Sequence, residues 1–237
     1  MADTTASAAH DGAQPVCRIV VMASGNGSNF QALIDGVVDQ RIPNAAIVRL
    51  FYNKAKAYAR ERAEKAVPTI PTEYFNLVSR GFLPKGETDP QRTRDARAAY
   101  DAALAQEVLK HNPDLVVLAG WMHVFSAPFL RPLDAAGVKI INLHPALPGR
   151  YDGAHAIERA FNDFKAGKLQ NNTTGVMIHY VIEEVDRGQA IMTQEVQCRE
   201  GETLEQLEGR IHGVEHKLIV EATAKVAAEA VERKSRR

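Results

Sequence analysis

The sequence predicts an α/β fold: a doubly wound, mostly parallel sheet, extended by C-terminal antiparallel strands and a closing helix. Three observations carry this expectation. Short β-branched runs alternate with helical patterns as far as Leu143, as successive β-α units require. The segment Asp114 to Ala119 has a wholly apolar body, Leu-Val-Val-Leu-Ala, which suits a strand buried on both faces. From Thr174 onward the alternation stops, and two strands follow each other before one long helical pattern.

Taken in order, Arg18 to Ala23 is the first strand, and Asn29 to Val38 is a helix with Phe30, Leu33, Ile34 and Val37 on one face. Ala46 to Phe51 is the second strand, Ala55 to Lys65 a helix, and Thr69 to Phe75 a third strand. Ser79 to Gln91, rich in Gly, Pro and charge, is a loop before a helix over Thr93 to Lys110. Asp114 to Ala119 and Val138 to Leu143 are the next strands. Gly175 to Val181 and Ala190 to Val196 form the late pair, joined by Ile182 to Gln189, and Thr203 to Val231 closes the chain as a helix. No internal repeat or linker interrupts the pattern, so residues 16–231 read as one domain, with 1–15 as a disordered tail and 232–237 as a frayed, charged end.

Composition narrows the function classes. A chain of 237 residues with 45% hydrophobic and 24% charged side chains can bury an ample core. Its 29 basic residues balance 29 acidic ones, which argues against nucleic acid as a partner and for small molecules. Two cysteines, Cys17 and Cys198, are too few for a disulfide framework and fit a reducing compartment. No apolar run approaches the roughly 18 residues of a membrane span. The first fifteen residues contain no Lys or Arg, against a signal or transit peptide, so the expected location is cytoplasmic.

Three short motifs bear chemistry. Asn142-Leu143-His144-Pro145 ends a strand, and side chains at i and i+2 of a strand share a face. An amide NH2 and an imidazole aimed at one point can hold the oxyanion of a tetrahedral adduct. Taken alone, the tetrapeptide is more simply a strand end capped by a polar turn. Ser24-Gly25-Asn26-Gly27-Ser28-Asn29 joins the first strand to its helix, where free N–H groups can bind an anion such as a monophosphate. A nicotinamide cofactor is disfavoured, because Phe30 replaces the third glycine of the dinucleotide fingerprint and Tyr52-Asn53 replaces the acidic ribose ligand. Glu183-Glu184-Val185-Asp186 is ordinarily a solvated connection; a catalytic Asp186 would have to fold back towards His144.

In their order along the chain, these motifs, with Val117-Leu-Ala-Gly-Trp-Met122, Asn142-Leu-His-Pro-Ala-Leu-Pro-Gly149 and Val185-Asp-Arg-Gly188, resemble the phosphoribosylglycinamide formyltransferase family. The resemblance runs from about Val16 to about Val220. It looks closest to the fungal single-function form, on Leu147-Pro148-Gly149, Ala156 to Ala160, Arg210-Ile211-His212 and Val214-Glu215-His216. It implies a Rossmann-like formyltransferase fold and folate-dependent formyl transfer in de novo purine biosynthesis, from 10-formyltetrahydrofolate to glycinamide ribonucleotide. The family's catalytic trio matches Asn142, His144 and Asp186. Its substrate contacts match Asn26, Gly27, Ser28, Asn29, Pro145 and Glu215, the last a ribose ligand. Its folate contacts match Arg97, Met122, His123, Val124, Phe125, Asn142, Val181 and Asp186. Neither a metal nor a covalent enzyme intermediate is implied, and the expected assembly is a monomer or weak homodimer.

The sequence departs from the common bacterial pattern at His123, where arginine is usual, at His212, where glutamine is usual, and at Tyr151-Asp152-Gly153-Ala154. His179 is as well explained by a structural hydrogen bond and stays outside the catalytic set. The competing readings are a formyltetrahydrofolate hydrolase, a methionyl-tRNA formyltransferase and a non-catalytic folate or nucleotide sensor. The first two normally carry an additional domain, and the third has no need of Asn142, His144 and Asp186 together.

Overall fold

The computed structural model describes residues 15–236. The expected tail therefore lies, except for residue 15, outside the described residues. The elements are β1 (Cys17–Ala23), α1 (Ser28–Val38), β2 (Ala45–Tyr52), α2 (Ala59–Lys65), β3 (Thr72–Tyr74), α3 (Pro90–Leu109), β4 (Leu115–Leu118), α4 (Ala127–Ala135), β5 (Lys139–His144), α5 (Ala156–Lys165), β6 (Thr173–Tyr180), β7 (Ala190–Gln197) and α6 (Leu204–Ser235). One sheet holds all seven strands in the order β3-β2-β1-β4-β5-β6-β7. The first five are parallel, and β6 and β7 continue the sheet antiparallel.

The strand order reverses between β1 and β4, the place where open α/β sheets part their loops and admit ligands. Register fixes what meets there. Met22 of β1 lies beside Leu118 of β4, and Leu118 lies beside Asn142 of β5. The glycine turn after β1, the loop after β4 and the Asn-Leu-His end of β5 thus emerge from one edge of the sheet.

Alternation of side chains across the strands builds a core on each face. Ile19, Val21, Leu115, Val117 and Ile141 pack with α1 and α6, whereas Val20, Met22, Val116, Leu118 and Ile140 pack with α3 and α4. Asn142 and His144 share the parity of Ile140, which puts them on the α3/α4 face.

Two helices go beyond the sequence expectation. Helix α4 is masked in the sequence by Pro128 and Pro132, which read as breakers. Pro128 occupies the first turn, where no N–H is needed, and burial of Phe129, Leu130 and Leu133 holds the rest. Helix α5 follows His155, which takes a left-handed conformation at φ 57° as its N-cap, a role with no signature in its residue type.

The long helix also corrects the frayed end expected from residue 232, since α6 continues to Ser235. Lys234 accounts for the extension: its Nζ donates to Asp114 Oδ2 at 2.6 Å and to the Val16 carbonyl at 2.9 Å, tying the last turn to the root of β4. At the other end, Thr203 and Gln206 form a reciprocal capping box. Among the described residues, no helix is long and apolar enough to cross a membrane.

Phe129 carries the loop after β4. Its ring is fully buried and stacks on Phe125 with centroids 3.7 Å apart. Phe129→Ala is expected to lower stability by about 3–5 kcal/mol in urea denaturation, the usual cost of emptying such a site; a loss below about 1 kcal/mol would show that α4 does not anchor that loop.

Candidate functional site at the strand ends

The glycine turn is built from its neighbours. Ser24 N donates to the Gly120 carbonyl at 3.0 Å, and Ser24 Oγ accepts from Met122 N at 2.9 Å, joining the loops after β1 and β4. Gly27 sits at φ 76°, and a Cβ there would lie 2.8 Å from Ala59 Cβ, so the turn packs directly on the start of α2. The first N–H groups of α1, from Ser28 onward, have no partner within the helix and are placed as such an end can hold an anion.

Side chains around the turn are arranged differently from the sequence expectation. Asn29 is buried and donates from Nδ2 to Glu215 Oε2 at 2.9 Å, so its side chain is engaged with the long helix and only its backbone is placed for an anion. Asn26 is held by Arg62, which donates to its carbonyl at 2.9 Å and to its Oδ1 at 2.8 Å. Arg62 went unnoticed because a lone arginine on a short polar helix has no distinguishing pattern. His216 also belongs here: burial, with the charges of His212 and Arg62, holds it below the ordinary imidazole range. Burial pushes the Glu215 carboxyl up, against the opposing pull of Asn29 and His212.

One strand spacing beyond β4, Asp186 collects the catalytic candidates. Its Oδ1 lies 3.3 Å from Asn142 Nδ2 and 3.4 Å from His179 Nε2. Its Oδ2 lies 3.4 Å from His144 Nδ1 and accepts from Gly153 N at 2.8 Å. Burial by itself raises the carboxyl, but the His179 contact, the Gly153 amide and the charges of His144 and His179 outweigh it, so Asp186 sits below the ordinary carboxylate range.

The alternative of a wholly solvated acidic loop is thereby divided: Glu183 and Glu184 are exposed, while Asp186 turns inward. A left-handed backbone at Asp186, φ 55°, aims it. Gly188 lets the chain cross Tyr180 so closely that a Cβ would fall 1.6 Å from the Tyr180 carbonyl oxygen. Arg187 straps the loop outward, donating to Asp152 Oδ2 at 2.7 Å.

Donor and acceptor roles follow. His179 Nδ1 donates to the Tyr180 carbonyl at 2.9 Å, and its Nε2 faces both Asp186 Oδ1 at 3.4 Å and Asn142 Nδ2 at 3.2 Å. His179 is thus a partner of the amide, missed as such because its strand position favours an ordinary structural bond. His144 has an acceptor at each nitrogen, Asp186 at Nδ1 and the Arg150 carbonyl 3.3 Å from Nε2. Such an imidazole can donate from both sides, and the Asn142 amide can exchange its long Asp186 contact for a developing oxyanion.

The expected folate contacts divide into three groups. Met122 and Val124 are exposed, beside the mouth of the site. The side chain of Phe125 is buried in the aromatic core with Trp121 and Phe129, so its ring supports the loop from beneath. Arg97 and His123 touch each other at 3.3 Å. Val181 donates to the Ile140 carbonyl at 2.9 Å and lines a groove of about 380 Å³ with Leu130, Val138, Ile140 and Ile182. Pro145 follows β5 directly and is half-buried. The glycine turn and the Asp186 cluster are two strand spacings apart, about 10 Å, the reach of a small sugar phosphate.

Comparison with known proteins identifies the family. Residues 17–223 match the family model described as formyl transferase. The chain is 44% identical over 208 residues to a phosphoribosylglycinamide formyltransferase of Schizosaccharomyces pombe, covering 87% of this chain and 95% of that one. It is 46% identical over 207 residues to the Dictyostelium discoideum protein of that name, covering 86% and 95%. Among solved structures, the phosphoribosylglycinamide formyltransferase of Bacillus halodurans superimposes with TM-score 0.72 at 30% identity, covering 90% of this chain and 96% of that one.

Glu215 provides a test of this geometry by pH. A carboxyl whose folded pKa is raised destabilises the folded state once ionised; the penalty is absent below the unfolded pKa and complete above the folded one. Glu215→Gln keeps an acceptor for Asn29 and removes the charge. The variant is expected to be more stable than the parent at pH 8 and indistinguishable from it near pH 3, in urea titrations; equal stability at both would show that the charge carries no burial cost.

Proposed function

The chain belongs to the phosphoribosylglycinamide formyltransferases of the formyl transferase family, and from that premise we propose that it moves the formyl group of 10-formyltetrahydrofolate onto the primary amine of glycinamide ribonucleotide. It is a formyl-transferring enzyme of purine biosynthesis. The observation that carries the mechanism is the convergence of Asn142, His144 and His179 on the single carboxylate of Asp186.

The ribonucleotide phosphate binds at the N–H groups of Gly27, Ser28 and Asn29, held in shape by Arg62 on Asn26. Glu215, fixed by Asn29, accepts from the ribose hydroxyls. The sugar phosphate then spans the sheet edge and delivers its amine past Pro145 to the ends of β5. The pterin lies under the Met122 to Val124 loop and along the Val181 to Asp186 loop, where backbone groups read its edge and apolar side chains cover its face.

In the reaction, the amine nitrogen attacks the formyl carbon and the carbonyl electrons move to oxygen. The Asn142 amide donates to this oxyanion, as does His144 Nε2 in exchange for its long contact with the Arg150 carbonyl. Collapse of the adduct breaks the bond to the folate nitrogen, which gains a proton while the attacking nitrogen loses one. Asp186 orients His144 and relays that proton through a water. The products are formylglycinamide ribonucleotide and tetrahydrofolate.

The decisive measurement is formyl transfer by the purified protein with both substrates present. Asn142→Ala and His144→Ala are each expected to lower kcat at least about 100-fold. Asp186→Asn is expected to lower kcat and to disturb its pH profile, and His144→Ala is expected to retain substrate binding. Wild-type protein that does not formylate glycinamide ribonucleotide, or a His144→Ala enzyme with undiminished turnover, would overturn the assignment.

A further inference from the structure

A second buried carboxylate lies behind the loop after β4. Asp101, on α3, is 1% exposed and accepts from Ser126 N at 2.7 Å, from Ser126 Oγ at 2.6 Å and from His123 Nε2 at 2.6 Å. The other nitrogen of His123, Nδ1, lies 3.3 Å from Arg97 Nη2. Ring contacts fix the imidazole plane, with Tyr100 edge-on at 5.1 Å and Phe125 edge-on at 5.5 Å.

Donor and acceptor chemistry permits one arrangement of protons. A carboxylate only accepts, so the proton at the His123–Asp101 contact is on Nε2. A guanidinium only donates, so Nδ1 of His123 must present its lone pair to Arg97. Arg97 and Asp101 stand one turn apart on the same face of α3, where they would otherwise pair directly. His123 is interposed between them, and it holds the guanidinium outward by a single N–H, leaving the other donors open to solvent beside Met122 and Val124.

We propose that Asp101, acting through His123, is a positioning residue that holds Arg97 for the carboxylate-bearing tail of the folate. This rests on the formyl-transfer reading above. A folate pairs a flat ring with a glutamate bearing two carboxylates, and a guanidinium held in one place meets that tail without first losing its own freedom, so the device acts on the tail and not on the ring.

The test compares 10-formyltetrahydrofolate with the same pterin lacking its glutamate. His123→Phe keeps a ring among Tyr100 and Phe125 but removes the acceptor. It is expected to raise KM for the glutamate-bearing folate about three- to tenfold, the cost of ordering one long side chain, and to raise the tail-less compound's KM by a smaller factor. Asp101→Asn turns an NH2 towards His123 Nε2, because the other oxygen must still accept from Ser126. It is expected to move the imidazole proton to Nδ1, visible in the ¹⁵N shifts of His123, and to reproduce the same selective KM rise. In an Arg97→Ala background neither substitution should add to the effect. Equal losses on both folates, persistence of the effect without Arg97, or a wild-type His123 protonated on Nδ1 alone would each overturn the proposal. If Asp101→Asn fails to fold, His123→Phe decides. A wild-type enzyme that transfers no formyl group overturns both readings, whereas normal turnover without tail selectivity overturns only this one.

Discussion

Four polar groups from three separate segments meet on the Asp186 carboxylate, and among the described residues no other contact joins so much of the chemistry. A buried anion of this kind persists only if every oxygen is satisfied, since an unpaired charge in such a place is expensive. Satisfying it fixes Asn142 and His144 on β5, His179 on β6 and the Gly153 turn at once. The low pKa of the group expresses the same balance: the desolvation cost is exceeded by what the donors return.

The rest of the fold can be understood as the support that this carboxylate needs. The antiparallel β6 brings His179 level with Asn142 in register, which a further parallel strand could do only after a long crossover. The close crossing at Gly188 and the Arg187–Asp152 strap force the acidic loop to turn one of its three carboxylates inward. Two helices the sequence does not announce, α4 and α5, flank this region: α4 supports the loop after β4, and α5 begins where the Gly153 turn ends.

What was legible in the sequence is what periodicity and turn chemistry record. The apolar body of β4, the alternation of β1 and β5 and the Ser24 to Asn29 turn reveal the sheet and its ligand-bearing edge, and the spacing of Asn142 and His144 gives their common face. The trio itself became legible only through family resemblance, because the path of Asp186 back to His144 depends on a left-handed residue and a backbone crossing that no local pattern encodes. Arg62, Asp101 and the partnership of His179 with Asn142 were illegible for a related reason. Each is an ordinary residue on an ordinary element, and its meaning lies in a neighbour far away in sequence. Phe125 shows the converse, a residue correctly placed in its loop whose ring turns to the core because Phe129 offers it a stacking partner.

The row formed by Met22, Leu118 and Asn142 has a further consequence. Side chains along β5 alternate faces, so the site has a parity as well as a position. A single residue inserted into β5 upstream of Asn142 would present Ile141 where the amide now stands and Leu143 where the imidazole stands, while a pair would restore the face and displace it by one repeat of the strand. An insertion that spares this row is therefore confined by geometry to the loops at either end of β5. The loops beyond its ends can take up an added residue without turning Asn142 and His144 to the other face, and the strand itself cannot.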